Sequence, residues 1–278
     1  MDRGTSTAPA DVIRRAGRFL RGMSREYVVT AKHCGDLSSF MRYGIDIVLS
    51  RALRYLPVPR AGALRTIRTR SGATLTYRLS RADIQTVREV WFDQVYRLPF
   101  EWPRSGGVLL DLGGNIGCAS VYLVRRYGFE RVIVVEPVPD NVVVARRNLM
   151  QNGVFAEVIQ AAVGPTAGVV AFAAAVDRNL GRIDSAGDIL VNLVTPQDLL
   201  ALAGGSISLM KMDIEGAEEQ ILVDDASWLS RVDAVIAEFH PTIVDYPRLV
   251  SLIEDQGFAF FPPGSVYART TDAFRRVS

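Results

Sequence analysis

Apolar residues recur along this chain with three different rhythms. Up to residue 60 they follow a helical period. Ile13–Met23 and Phe40–Tyr55 read as helices, and Pro57-Val58-Pro59 ends the second, because proline lacks the amide a helix needs. Leu64-Arg65-Thr66-Ile67-Arg68 and Thr74-Leu75-Thr76-Tyr77-Arg78 then alternate with period two around Ser71-Gly72, which predicts a hairpin. From Asp83, a plausible N-cap, Ile84, Val87, Val90 and Trp91 return to helical spacing.

From Val108 onward short apolar runs alternate with helical ones, the pattern of βαβ units and a mainly parallel sheet. The predicted strands are Val108–Asp111, Arg131–Glu136, Ala156–Val163, Leu209–Asp213, Ala234–Phe239, Phe258–Phe261 and Val266–Thr270. The intervening 142–150 and 216–223 read as helices. Residues 1–60 thus form a helical accessory segment, 61–103 a hairpin and helix, and 104–278 the α/β domain. Residues 158–176 are apolar enough to suggest a membrane span. Gln160 and the turn Gly164-Pro165-Thr166-Ala167-Gly168 break that run into two short strands, so no transmembrane segment is expected.

Charge changes the picture only at the N-terminus. The chain carries only net +2, which gives no general argument for nucleic acid as a partner, while its first 60 residues hold eleven Lys or Arg against five Asp or Glu. Arg14, Arg15, Arg18 and Arg21 interrupt every apolar run that could serve as a signal peptide, and with Arg25 they make a basic helix. They suit a lid or a homo-oligomer contact, or else a surface for anionic lipid or a carrier protein. Cys34 and Cys118 stand alone, without zinc spacing or a disulfide framework, which fits a reducing cytoplasm.

The candidate chemistry lies in Val108-Leu109-Leu110-Asp111-Leu112-Gly113-Gly114-Asn115-Ile116-Gly117, a buried strand running into a glycine turn and a helix. Glycine there lets the backbone approach a ligand, and Gly117 allows close helix packing. Nineteen residues beyond Gly117, Glu136 ends the next apolar run, followed by Pro137. In nucleotide-binding sheets a carboxylate at that place accepts ribose hydroxyls. A dinucleotide fingerprint fails at Leu112. Asp111 at the strand tip suits a cationic, amino-bearing ligand better than a pyrophosphate, which points to S-adenosylmethionine.

On Asp111-Leu112-Gly113-Gly114-Asn115-Ile116-Gly117 and Lys211-Met212-Asp213-Ile214-Glu215-Gly216-Ala217-Glu218, the chain resembles the FkbM family of S-adenosylmethionine-dependent methyltransferases. The similarity extends over about residues 64 to 270 and includes Val194-Thr195-Pro196-Gln197-Asp198-Leu199-Leu200. The resemblance implies a class I methyltransferase Rossmann-like α/β sheet of seven mostly parallel strands, here with an N-terminal helical extension. It implies adenine beside Ala161 and Ala162, the methionine part or the acceptor beside Asp213, and S-adenosyl-L-homocysteine as product.

The expected reaction is O-methylation of a small molecule such as a polyketide, sugar or lipid-linked metabolite. Asp213, Glu238 and His240, at the carboxyl ends of strands, are candidates to take the hydroxyl proton. The same three could ligate a divalent cation, but only Glu238 and His240 are close in sequence, so a metal is not favoured. Lys211 reads either as an edge lysine or as the partner of an acid. Trp91, Phe92, Tyr96, Phe100 and Trp102 read as core or as the wall of an acceptor pocket. The competing functions are an NAD-linked oxidoreductase and a non-catalytic methyltransferase-like scaffold.

Overall fold

A computed structural model describes residues 26–52, 62–103, 106–173, 182–183, 189–214, 216–268 and 271–277. The basic segment at 13–23, the Pro57-Val58-Pro59 stop and Glu215 lie outside the described residues.

Residues 26–33 are helical and turn into α1 (Leu37–Ala52). The predicted hairpin follows, as β1 (Leu64–Arg68) paired antiparallel with β2 (Thr74–Arg78). Next comes α2 (Arg81–Val87), which opens into a π-helical turn over Arg88–Phe92. Its N-cap is Ser80, whose side chain accepts from the Asp83 amide. Asp83, expected as the cap, instead sits in the first turn, where its carboxylate accepts from the amide and guanidinium of Arg78.

The α/β domain contains β3 (Val108–Leu112), α3 (Cys118–Tyr127), β4 (Arg131–Val135), α4 (Pro139–Gln151), β5 (Ala156–Ile159), β6 (Ala162–Val163), β7 (Gly168–Ala173), β8 (Arg182–Ile183) and β9 (Ile189–Val194). It continues through α5 (Pro196–Leu202), β10 (Ile207–Met212), α6 (Ala217–Asp224), β11 (Val232–Glu238), α7 (Tyr246–Asp255), β12 (Phe258–Phe261) and β13 (Thr271–Arg276).

Seven strands form the central sheet in the order β12-β13-β11-β10-β3-β4-β5. The pairs β11-β10-β3-β4-β5 are parallel, and β13 is antiparallel to both neighbours. The parallel strands β3, β4, β10 and β11 are buried along most of their length, hence the near-continuous apolar runs seen in the sequence, while β5 lies at the edge and is partly exposed.

Two strand assignments need correction. Ala156–Val163 is not one strand: the Ala161 amide donates to Ile159 O, and the turn delivers β6 to a second sheet of order β6-β9-β7-β8. The last strand is Thr271–Arg276, not Val266–Thr270. Val266 is exposed in a turn, whereas the polar-looking β13 is held by ladders on both sides, which hydrophobic alternation does not reveal.

Buried Asn148 on α4 fixes the hairpin to the α/β domain. It accepts from the Thr76 amide and donates to Thr76 O and, at 2.7 Å, to Ile116 O in the glycine turn. The hairpin is thereby tied to the loop that builds the site. Among the described residues, no helix is long and apolar enough to cross a membrane.

Candidate active site

The site lies at the carboxyl ends of β3, β4, β10 and β11. The chain leaves β3 toward β4 on one side while β10 flanks β3 on the other, so the order reverses there, the place where open α/β sheets bind ligands. Gly113 is required at this point. Its φ is +75°, and a Cβ on it would meet the Asp213 carbonyl oxygen at 1.8 Å. A Cβ on Gly114 would meet Val134 Cγ1 at 2.1 Å. The β3 turn is thus pressed between β4 and β10, with no room for any other side chain.

Glu136, just past β4, braces the turn. It accepts from the Asn115 amide at 2.8 Å on one oxygen, and from the Val138 amide at 2.9 Å and Asn141 Nδ2 at 3.1 Å on the other. Burial pushes its pKa upward, opposed by those three hydrogen bonds and by Lys211. A carboxylate offers about four acceptor positions, so Glu136 retains capacity for a ligand hydroxyl. Asn115, held at φ +47° and in contact with Thr86 through Nδ2, turns a buried Oδ1 toward no donor among the described residues. Gly117 (φ +76°) starts α3 against the Ala145 backbone. Pro137 enters the loop to α4, and Ala161 and Ala162 are buried beyond the end of β5.

Asp111 departs from the sequence argument. Its carboxylate is fully buried, takes the Ser120 hydroxyl on Oδ2 and faces Lys211 Nζ at 3.2 Å through Oδ1. Its charge is answered inside the protein instead of being left for a cationic ligand. Lys211, two residues before Asp213, is no edge lysine. It is 2% exposed, lies 3.7 Å from Asp213 Oδ2, and donates to Gly113 O at 2.7 Å and Leu112 O at 3.2 Å. Burial lowers its pKa and the carboxylates raise it, with a net rise. One ammonium thus ties both motifs together.

Asp213 and Glu238 do come together. The buried Tyr96 hydroxyl donates to Asp213 Oδ2 at 3.0 Å and lies 3.5 Å from Glu238 Oε2. His240 falls beyond the end of β11, so it does not share a strand face with Glu238. Its carbonyl accepts from the Ile243 and Val244 amides. Among the described residues, no three His, Cys, Asp or Glu side chains gather closely enough to hold a metal ion.

Of the aromatic group, Trp91 and Phe92 belong to the core, and Trp102 lies at the opposite end of the sheet beside Gly106 and Gly107. Tyr96 alone among them hydrogen-bonds the carboxylates at the strand tips. Sequence reasoning missed Glu89. It stands on the π-turn, accepts from Gln85 Nε2 at 2.8 Å, and has a pKa pushed up to about 7, first by burial and then by Glu238, Asp213 and Asp93. Nothing local marks it, because Asp213 and Glu238 are more than a hundred residues away.

A seven-stranded, mostly parallel sheet with one antiparallel strand near its edge, and a glycine turn at its strand tips, is the class I methyltransferase fold. The chain belongs to the FkbM methyltransferase family: the Methyltransferase FkbM domain matches residues 111–260. It is 28% identical over 231 residues to 31-O-demethyl-FK506 methyltransferase FkbM of Streptomyces tacrolimicus, covering 69% of this chain and 88% of that protein. It is 27% identical over 226 residues to Methyltransferase sdnD of Sordaria araneosa, covering 66% and 85%. A solved FkbM methyltransferase from Methylobacillus flagellatus KT aligns with TM-score 0.46 and 15% identity, over 96% of this chain and 60% of that one.

Proposed function

We propose that this methyltransferase moves a methyl group from S-adenosylmethionine to a hydroxyl of a small-molecule acceptor. The observation that carries the reading is the glycine turn braced by Glu136 at the point where the strand order reverses. The residues fit that cofactor. The turn supplies close backbone, Asn115 Oδ1 is a buried acceptor awaiting a donor, and the surrounding Glu136, Asp213, Glu238 and Glu89 suit a cationic, phosphate-free ligand. Glu136 would accept ribose hydroxyls, Gly113, Gly114, Asn115 and Gly117 would line the ligand, Pro137, Ala161 and Ala162 would flank adenine, and Asp213 would meet the amino-acid part.

When bound, the cofactor supplies an electrophilic methyl on a sulfonium. The protein's task is then to align the acceptor oxygen and receive its proton. Glu238, which shares the Tyr96 phenol with Asp213, would receive it, with His240 just past the end of β11 as the alternative acceptor, while Asp213 is given to the cofactor's amino-acid part. The small-molecule reading draws on the relative named for 31-O-demethyl-FK506. Two buried thiols, Cys34 and Cys118, support a cytoplasmic setting.

Calorimetric titration with S-adenosylhomocysteine, beside NADH, tests the cofactor. Wild-type protein is expected to bind the former, and Glu136→Ala to weaken it at least tenfold, about 1.4 kcal/mol. Folded protein that ignores S-adenosylhomocysteine and binds NADH would return the oxidoreductase reading, and one that binds neither would favour a scaffold.

A further inference from the structure

Asp213 is the first residue past β10, and only its main-chain amide, donating to Leu112 O at 3.1 Å, is fixed by the sheet. Its side chain is 24% exposed and therefore needs another restraint. Among the described residues, its two side-chain contacts fall on the same oxygen: Tyr96 Oη at 3.0 Å and Lys211 Nζ at 3.7 Å reach Oδ2. That leaves Oδ1 as the oxygen available to a ligand.

Tyr96 is itself immobilised. It is 4% exposed, and Lys211 Nζ lies over its ring, 5.4 Å from the centroid. The arrangement forms a closed triangle in which ammonium, ring and carboxylate each restrain the others. Burial and the nearby carboxylates hold the phenol pKa well above its ordinary value, so it remains a neutral donor throughout the working pH range. With Asp111 consumed by Lys211 and Ser120, Asp213 is the carboxylate at the tips of β3 and β10 with an oxygen to offer a cation.

We infer that Tyr96 is a positioning residue for the amino-acid half of the cofactor, holding Asp213 Oδ2 so that Oδ1 meets the cofactor's ammonium. This inference rests on the cofactor reading above. A carboxylate held ready beforehand loses less conformational freedom on binding than a free one, so the phenol acts on affinity without touching the ligand.

The test compares two probes by calorimetry: S-adenosylhomocysteine, which carries the ammonium, and 5′-methylthioadenosine, which keeps the nucleoside and thioether and lacks the amino acid. Tyr96→Phe keeps the ring in the core and removes only the hydroxyl. It is expected to weaken S-adenosylhomocysteine about tenfold and leave 5′-methylthioadenosine within twofold. Asp213→Asn, at a partly buried loop position, should show the same selective loss, and the double variant no more than the larger single loss. Equal weakening of both probes by Tyr96→Phe, no weakening, or additive losses in the double variant would overturn the inference. Failure of the wild-type protein to bind S-adenosylhomocysteine would instead remove the cofactor reading on which it stands.

Discussion

Lys211→Met is expected to lower the unfolding free energy by about 3–5 kcal/mol, the usual cost of breaking a buried ion pair by removing one partner. The variant leaves the Asp111 carboxylate, fully buried, with the Ser120 hydroxyl as its remaining support. Methionine fills a similar volume, so the loss reports the uncompensated charge more than a cavity. Urea denaturation measures it directly. Lys211→Met/Asp111→Asn should recover most of the loss, since a buried pair exchanged for neutral groups is often close to neutral in stability. A single variant within about 1 kcal/mol of wild type would mean that the ammonium is not needed where the structure puts it. Lys211 also holds the Leu112 and Gly113 carbonyls, so weaker binding of S-adenosylhomocysteine should accompany the loss.

Glu89 makes stability depend on pH. Burial, reinforced by Glu238, Asp213 and Asp93, raises its folded pKa to about 7 from the ordinary glutamate value of 4.5. Between those values the folded chain keeps a proton that the unfolded chain has released. The contribution is therefore fully present below about 4.5 and is lost as pH rises through 7. The shift corresponds to at most about 3.5 kcal/mol, at roughly 1.4 kcal/mol per pKa unit. Glu89→Gln can still accept the Gln85 hydrogen bond and carries no proton to lose. Its stability relative to wild type should rise from near zero at pH 4.5 to about 2–3 kcal/mol at pH 8, read from urea midpoints. A difference that stays flat across that range would show that Glu89 titrates normally.

Both effects belong to contacts no local pattern displays. The central-sheet strands from Val108 to Phe261 and the helices at 142–150 and 216–223 were legible, because strands buried on both faces read as apolar runs, whereas α5, α7, β8 and β9 were not predicted. The glycine turn and Glu136 were legible because one needs residues without Cβ and the other a carboxylate one strand later. The β13 strand was not legible: Thr271, Asp272, Arg275 and Arg276 carry no strand-like apolar pattern, and pairing with β11 and β12 defines the strand. The break after Ile159 was hidden as well, since Ala161 to Val163 are apolar in either sheet.

The sequence by itself determined the βαβ order, the family and the carboxylates that end the strands, since these follow from periodicity and from residue types with few substitutes. Only the tertiary structure decided how charge is shared among them. It paired Asp111 with Lys211, put the Tyr96 hydroxyl between Asp213 and Glu238, and brought Glu89 beside both. Whether a carboxylate is neutralised, hydrogen-bonded or left to a ligand depends on distances of 3–4 Å across elements far apart in sequence, and those distances exist only once the sheet is assembled.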